Sequence, residues 1–312
     1  MKTPHTFVLV PSYNHARFVA NCLRSIIAQT VPPKQLLVID DGSQDGSPRI
    51  IEKILKECPF PAELVVRGNQ GLTRTLNEGF AKSSGKYFAY LGSDDYWFPE
   101  FLENRQRVLG ESPDAGVVYG NSYIVDEYGS IKDCTENWNL YAGGEIRSLL
   151  YAGCAPISSS VVYRRSAIES FYWDEDIRLE DYDCYLRILL DCVFAFDSQA
   201  LSAWRQHGSN TSSDSEMLMR ECLTAQTKNL QMLIDADELR KIQNSTKLQH
   251  LEVFLRNGKK RDALRHMWQD ETLFLSVLKS KRHVAKLIFP HALVDLNQRI
   301  LKYRSARKYG RH

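Results

Sequence analysis

Four short apolar runs, at residues 7–10, 36–39, 64–66 and 87–91, recur through the first third of the chain, and the stretches between them carry helical periodicity. An apolar run this short, bounded by turn residues, suits a strand buried on both faces. Phe18, Val19, Cys22, Leu23, Ile26 and Ile27 share one face of a helix expected over 16–29, with Asn14 as its N-cap and Pro32-Pro33 ending it. Asp45-Gly46-Ser47 opens a second helix to about residue 57, where Pro48 fits the first turn. A third, over 71–82, sets Leu72, Leu76 and Phe80 on one side. Strands alternating with helices predict a doubly wound, parallel α/β sheet.

The middle of the chain is less regular. Strands are expected at 117–123 and 158–163, a helix at 181–190, and short strands at 194–196 and 201–204. From residue 215 only helices follow, at 216–235, 247–256 and 260–278. The small, polar run from His207 to Ser215 is the expected boundary, dividing the chain into 1–212 and a helical extension with a basic tail, 213–312.

Composition narrows the class. In 312 residues, 43% apolar and 25% charged content excludes wholesale disorder. The net charge of +2 conceals a tail, 279–312, with ten Lys/Arg against the single acid Asp295. That tail is net +9 and the remainder net −7. Basic character of this kind calls for an anionic partner. Seven cysteines without a CxxC pair fit neither a disulfide framework nor a zinc ribbon, and point to a reducing compartment. No run approaches the ~20 apolar residues of a membrane span, and the chain opens without a cleavage-like leader, so a cytoplasmic protein is expected. The sequons at Asn210 and Asn244 carry no weight without a secretory route.

Three acidic clusters supply the chemistry: Asp40-Asp41, Asp94-Asp95 and Glu180-Asp181. The first two follow strand-like runs, where an open α/β sheet places its ligand crevice. Asp40-Asp41-Gly42-Ser43 is equally readable as a strand-to-turn signal. Its extension to Glu52 approaches an EF-hand loop, but a strand precedes it where a helix is required and Pro48 occupies the eighth position. Asp94-Asp95 is the stronger signal: carboxylates suit a divalent cation such as Mn²⁺ or Mg²⁺ bridging to diphosphate oxygens, whereas helix capping accounts for one acid only. Glu180-Asp181 opens a helix, which the macrodipole alone would favour; the functional reading is a general base. His207 is a candidate for metal or phosphate, and Arg74 and Asn77 for a diphosphate. Against them stand a structural histidine and an exposed helix face. GxGxxG, GxxxxGK[ST], GxSxG and HExxH are all absent, which disfavours dinucleotide oxidoreductases, P-loop enzymes, serine hydrolases and zinc proteases.

Taken in order, residues 10–14, 38–43, 71–79, Ser93-Asp94-Asp95 and Glu180-Asp181 with Leu186-Arg187 resemble the motifs of family 2 glycosyltransferases of the bacterial surface-polysaccharide type, inverting enzymes with the GT-A fold. The resemblance spans about residues 6–212. It implies an α/β GT-A domain with a nucleotide-binding half, 1–100, and an acceptor half, 101–212. It further implies that Pro11, Ser12, Tyr13 and Asp41 frame the nucleotide base, with UDP or dTDP favoured. Arg74 and Asn77 would lie near diphosphate and ribose, and Asp94 near ribose or sugar. Asp95 would bind the metal, assisted by His207, and Asp181 would be the base. The Gln-x-x-Arg-Trp pattern of processive synthases is missing, since the order here is Trp204-Arg205-Gln206.

The expected partners are a nucleoside-diphosphate sugar and a glycan or lipid-linked glycan acceptor, with Tyr119, Trp138, Tyr141, Trp173 and Trp204 as candidates for stacking on sugar rings. Basic residues around Leu287, Ile288, Phe289, Leu293 and Ile300 suit a peripheral segment on an anionic membrane at the cytoplasmic face; a solvated tail or a packed terminal helix fits the same composition. No nucleic-acid role is expected. Two alternatives stay open: a nucleotide-sugar-binding protein without catalysis, and a sugar nucleotidyltransferase.

Overall fold

The apolar runs form the first strands of the sheet. The computed structural model of the chain describes residues 4–138, 146–189, 191–208, 210, 214–288 and 308–309. Strands β1 (Thr6–Ser12), β2 (Gln35–Asp40), β3 (Ala62–Val66) and β4 (Tyr87–Tyr90) lie side by side in the order β3-β2-β1-β4, all parallel. Between them run α1 (Val19–Ile27), α2 (Ser47–Leu55) and α3 (Leu72–Lys82). The chain moves outward from β1 to β3 and then returns to the other side of β1 to make β4. Such a reversal of strand order opens a crevice at the carboxyl ends of the two strands flanking it, and here those are β1 and β4.

Beyond β4 the sheet ceases to be parallel. The further elements are β5 (Tyr96–Trp97), α4 (Phe101–Glu111), β6 (Ala115–Asp126), β7 (Ile131–Cys134), α5 (Ile146–Tyr151), β8 (Val162–Arg164), α6 (Glu180–Ile188) and β9 (Val193–Gln206). The order continues β4-β8-β6-β9-β5, with β7 paired to β6. β8 runs antiparallel to both β4 and β6, while β6 and β9 are parallel. The expectation of a parallel sheet therefore holds for the first half and gives way to a mixed sheet in the second. The strands expected at 194–196 and 201–204 are one, β9. Polar Asp197, Ser198 and Gln199 interrupt its pattern without breaking the strand, which shifts register against β6 between Gly120 and Ser122.

Alternate side chains feed two cores. Phe7 and Leu9 of β1 join Phe88, Tyr163 and Tyr185 on one face, whereas Val8 and Val10 join Leu23, Ile26 and Phe101 on the other. In the second half of the sheet one ion pair sits wholly inside. The Arg105 guanidinium meets Asp197 Oδ2 at 2.5 Å and donates from Nε to the Ser160 carbonyl at 3.1 Å. Gly120 lies so close that any Cβ there would run into this guanidinium and the Asp197 carbonyl. Burial pulls Arg105 down to about 10, against the raising effect of Asp197.

The extension comprises α7 (Ser215–Leu230), α8 (Ala236–Arg256), α9 (Lys260–Gln269), α10 (Glu271–Leu278) and α11 (Lys281–Ile288). Leu251, Phe254, Leu255, Met267, Leu273 and Val277 form its own core. Helix α7 belongs to both bodies: Met219 packs in the extension, while Cys222, Ala225 and Leu230 pack in the sheet domain. Of the basic tail, residues 279–288 and 308–309 are described. The Tyr309 hydroxyl donates to Glu136 Oε2 at 2.9 Å, and its ring meets Tyr123 at 5.6 Å, so this end of the chain docks on β6 and β7. Among the described residues no helix is long and apolar enough to cross a membrane.

Removing one partner of a buried ion pair leaves an uncompensated charge and costs about 3–5 kcal/mol. Asp197→Ala is expected to lower unfolding stability by that amount in urea or guanidinium titrations, and a loss below about 1 kcal/mol would mean that the pair does not hold this half of the sheet.

Candidate active site

The loop leaving β1 is built by exchange with the loop leaving β2. Asn14 adopts a left-handed backbone, φ 54°, which asparagine tolerates better than most residues. Its N–H donates to Ser43 Oγ and its side-chain oxygen accepts from the Gln44 N–H, both at 2.8 Å. The His15 N–H reaches Ser47 Oγ at 3.1 Å and the Ala16 N–H reaches Asp45 Oδ2 at 2.8 Å. These bonds divert the first turn of the helix expected from residue 16, so α1 starts at Val19 and Asn14 is a cross-loop clamp rather than its cap. Buried Ser12 donates to Asp40 Oδ2 at 3.2 Å, Pro11 is half-buried on β1, and Tyr13 is 47% exposed.

Asp41 ties down the loop after β3. It accepts the N–H groups of Gln70 and Gly71 at 2.9 and 2.8 Å and pairs with Arg67 at 3.1 Å. A carboxylate has about four lone-pair sites, so acceptor capacity remains for one further donor. Arg67, which the sequence reading missed, also bonds Thr75 Oγ1 and pairs with Glu78. Arg74 and Asn77 are otherwise engaged. Arg74 pairs with Glu175, with bonds of 3.1 and 2.7 Å to its Oε2, and both ends of the Asn77 amide bond the backbone of Trp173, at 2.8 and 2.7 Å. As they stand, they fasten α3 to the segment ahead of α6.

After β4 the adjacent acids part company. Asp94 turns to His207, whose Nε2 lies 3.0 Å from Oδ2, and to His15, whose Nδ1 lies 3.8 Å from Oδ1. Gly92 makes room, since a Cβ there would sit 2.8 Å from Asp94 Oδ1. Burial raises the Asp94 carboxyl, but the His207 hydrogen bond and nearby His15 outweigh it and hold it below the usual value. Asp95 faces inward and accepts the Arg205 N–H at 2.8 Å. Burial, reinforced by the charge of Asp94, drives it well above the usual range. His15, Asp94 and His207 each offer one ligand atom, all within 4.8 Å of one another. Ligands of one ion with bonds of ~2.1 Å stand at most about 4.2 Å apart, so two imidazoles and a carboxylate fit a divalent cation after slight closure. The sequence reading put the metal on Asp95 and His207; the structure groups His207 with Asp94 and His15 instead.

The third cluster opens α6. Glu180 and Asp181 are half-buried, with the Tyr90 hydroxyl of β4 at 3.4 Å from Glu180 Oε1. Burial lifts Asp181 to about 6, and burial together with the Asp181 charge lifts Glu180 to about 8. Glu180, through Tyr90, and the Asp94 group thus both border the carboxyl end of β4. Of the aromatic residues proposed to stack on sugars, Tyr119 and Trp173 are in the core, Trp204 is half-buried and Trp138 is 37% exposed; Tyr141 lies outside the described residues.

The family model for glycosyl transferase family 2 matches residues 7–171. An uncharacterized glycosyltransferase of Nostoc sp. is 28% identical over 169 residues, covering 53% of this chain and 52% of that protein. The chain spans about half to two thirds of the length of the first curated relatives that it matches. Among solved structures, Staphylococcus aureus TarS 1–349 in complex with UDP-GlcNAc superposes with a TM-score of 0.63 at 17% identity, over 97% of this chain and 92% of that one. The mannosyltransferase PcManGT from Pyrobaculum calidifontis, in complex with GDP-Man and Mn²⁺, gives 0.61 at 16% identity, over 99% and 84%. The mixed sheet flanked by helices is the GT-A fold, and with more than half its length matched to the family model the chain belongs to glycosyl transferase family 2.

Proposed function

We propose that the chain transfers one sugar, with inversion, from a nucleoside-diphosphate sugar to an acceptor hydroxyl. What supports this reading is the placement of three groups on the segments that follow β1, β2 and β4 or reach β4: the exposed Tyr13 and the partly satisfied Asp41, a cation-compatible donor group at Asp94, and a carboxyl pair of raised pKa at Glu180-Asp181. Structural neighbours holding UDP-GlcNAc, or GDP-Man with Mn²⁺, support a nucleotide-sugar donor.

Tyr13 offers an exposed ring to the base, and the remaining capacity of Asp41 suits the imide N–H of uracil or thymine, which favours UDP or dTDP. A divalent cation, Mn²⁺ or Mg²⁺, would neutralise charge on the departing diphosphate. Asp181 takes the proton of the acceptor hydroxyl as its oxygen attacks the anomeric carbon. The bond to the diphosphate breaks on the opposite side, so the centre inverts and no enzyme nucleophile is needed. The acceptor reading is a glycan, carried on lipid at the cytoplasmic face of a membrane. Exposed Leu264 and Trp268 on α9 and Leu275 and Leu278 on α10, followed by the basic residues from Lys279, suit an anionic surface.

Four measurements test this. Calorimetry with UDP, dTDP, GDP and CMP, each with Mn²⁺ or EDTA, is expected to show metal-dependent binding of one nucleotide that Asp94→Ala abolishes; no binding of any overturns the donor site. Asp181→Asn is expected to keep donor binding and lose ~10²–10⁴-fold in transfer. Because the base works deprotonated and its pKa is raised, wild-type kcat/KM should fall as pH drops below about 6, and a pH-independent rate down to pH 5 would remove Asp181 from that role. Sedimentation with anionic vesicles should decline when salt rises from ~0.1 to ~1 M, as the Debye length shrinks from ~10 to ~3 Å; salt-independent binding, or none, counts against the surface.

A further inference from the structure

The loop after β1 contributes more than a cradle for the nucleotide. His15 is not among the residues that the acidic motifs single out, yet its ring stands at the same point as Asp94 and His207. Four features hold it there. Its backbone N–H is fixed by Ser47 Oγ, the N–H groups on either side are fixed by Ser43 and Asp45, and its Nδ1 shares a 2.8 Å hydrogen bond with Ser93 Oγ, next to Asp94. Phe18 lies against both imidazoles, stacked on His207 at 4.7 Å and edge-on to His15 at 6.1 Å. The rings stand nearly perpendicular, at 86° and 5.6 Å.

We propose that His15 is a third protein ligand of the divalent cation, and that it sets the metal preference of the site. The proposal rests on the reading of the crevice as a cation site. With oxygen donors alone, Mg²⁺ and Mn²⁺ would be served similarly. Two imidazoles beside one carboxylate change the order, because imidazole suits transition metals while Mg²⁺ keeps to oxygen and holds its water. An octahedral ion on these three ligands retains three open positions, enough for diphosphate oxygens and water. Affinity for the metal alone should then run Co²⁺ above Mn²⁺ above Mg²⁺, following the general order for nitrogen-bearing sites.

The test uses the full chain stripped with EDTA and then titrated calorimetrically with Mn²⁺, Co²⁺ and Mg²⁺ in the absence of nucleotide, for wild type, His15→Gln and His207→Gln. His15→Gln keeps a polar side chain for Ser93, and thermal melting of each variant without metal checks that the fold persists. The expected result is Mn²⁺ and Co²⁺ affinity weakened at least ~10-fold in His15→Gln, with the weaker Mg²⁺ affinity unchanged. Pulsed electron paramagnetic resonance of bound Mn²⁺ should show two imidazole nitrogens in wild type and one in either variant. Mn²⁺ that binds wild type with a single imidazole, lost in His207→Gln and kept in His15→Gln, overturns the role of His15 while leaving a metal at Asp94 and His207. Failure of wild type to bind any of the three ions overturns the cation site itself.

Discussion

Much of the crevice depends on Arg205, a buried guanidinium near the end of β9. Its Nε donates to the Asp94 carbonyl at 2.8 Å, its Nη1 to the carbonyls of Asp126 and Glu127, and its Nη2 to Asn21 Oδ1 at 2.9 Å. The rings of Phe18 and Tyr96 flank the charge at 5.2 and 5.4 Å. Its own backbone N–H is the donor that Asp95 accepts. One side chain thereby joins α1, the acidic loop after β4, the turn after β6 and the strand that delivers His207. Each hydrogen bond contributes on the order of 1 kcal/mol net, but their larger effect is geometric: the loop carrying Asp94 and the residue two before His207 are held by the same group.

The two carboxyl pairs are tuned in opposite ways. In Asp94-Asp95 the neighbours divide the labour, one acid kept charged by two histidines and the other kept inward where ionisation is costly. In Glu180-Asp181 both acids are raised, because burial takes both out of water and the charge of Asp181 opposes that of Glu180. Opposed environments acting on adjacent carboxyls are a common way to separate a group that binds charge from groups that accept protons. The first pair suits a phosphate-facing role, the second the proton-accepting role proposed for Asp181.

The GT-A domain was legible early because buried parallel strands leave an unmistakable apolar record, and because acids placed just after them have few structural uses. What escaped was set by contacts distant in sequence. β5 and β7 are too short to show a period, and β9 was split by a polar run in which Asp197 serves Arg105 rather than a turn. Asn14 looked like a helix cap, since its residue type suits both that and the left-handed clamp it makes. His15 and Arg205 carried no local signal: each matters through partners about 80 to 190 residues away. Arg74 and Asn77 followed the family pattern, and their polar groups are taken up by Glu175 and Trp173.

Helix α7, shared between two cores, has a bearing on how such a chain can be rebuilt. Its Gln226 donates to the Tyr182 hydroxyl and its Asn229 to Asp183, while its Glu221 accepts the Arg178 N–H, so three residues clasp the helix that begins with Glu180 and the segment just ahead of it. A polar linker ahead of Ser215 looks like a natural place to cut, yet a cut there would strip the outer wall from the proposed base. Grafting a different extension onto this catalytic body would have to splice beyond α7, and evolution exchanging such appendages would meet the same seam.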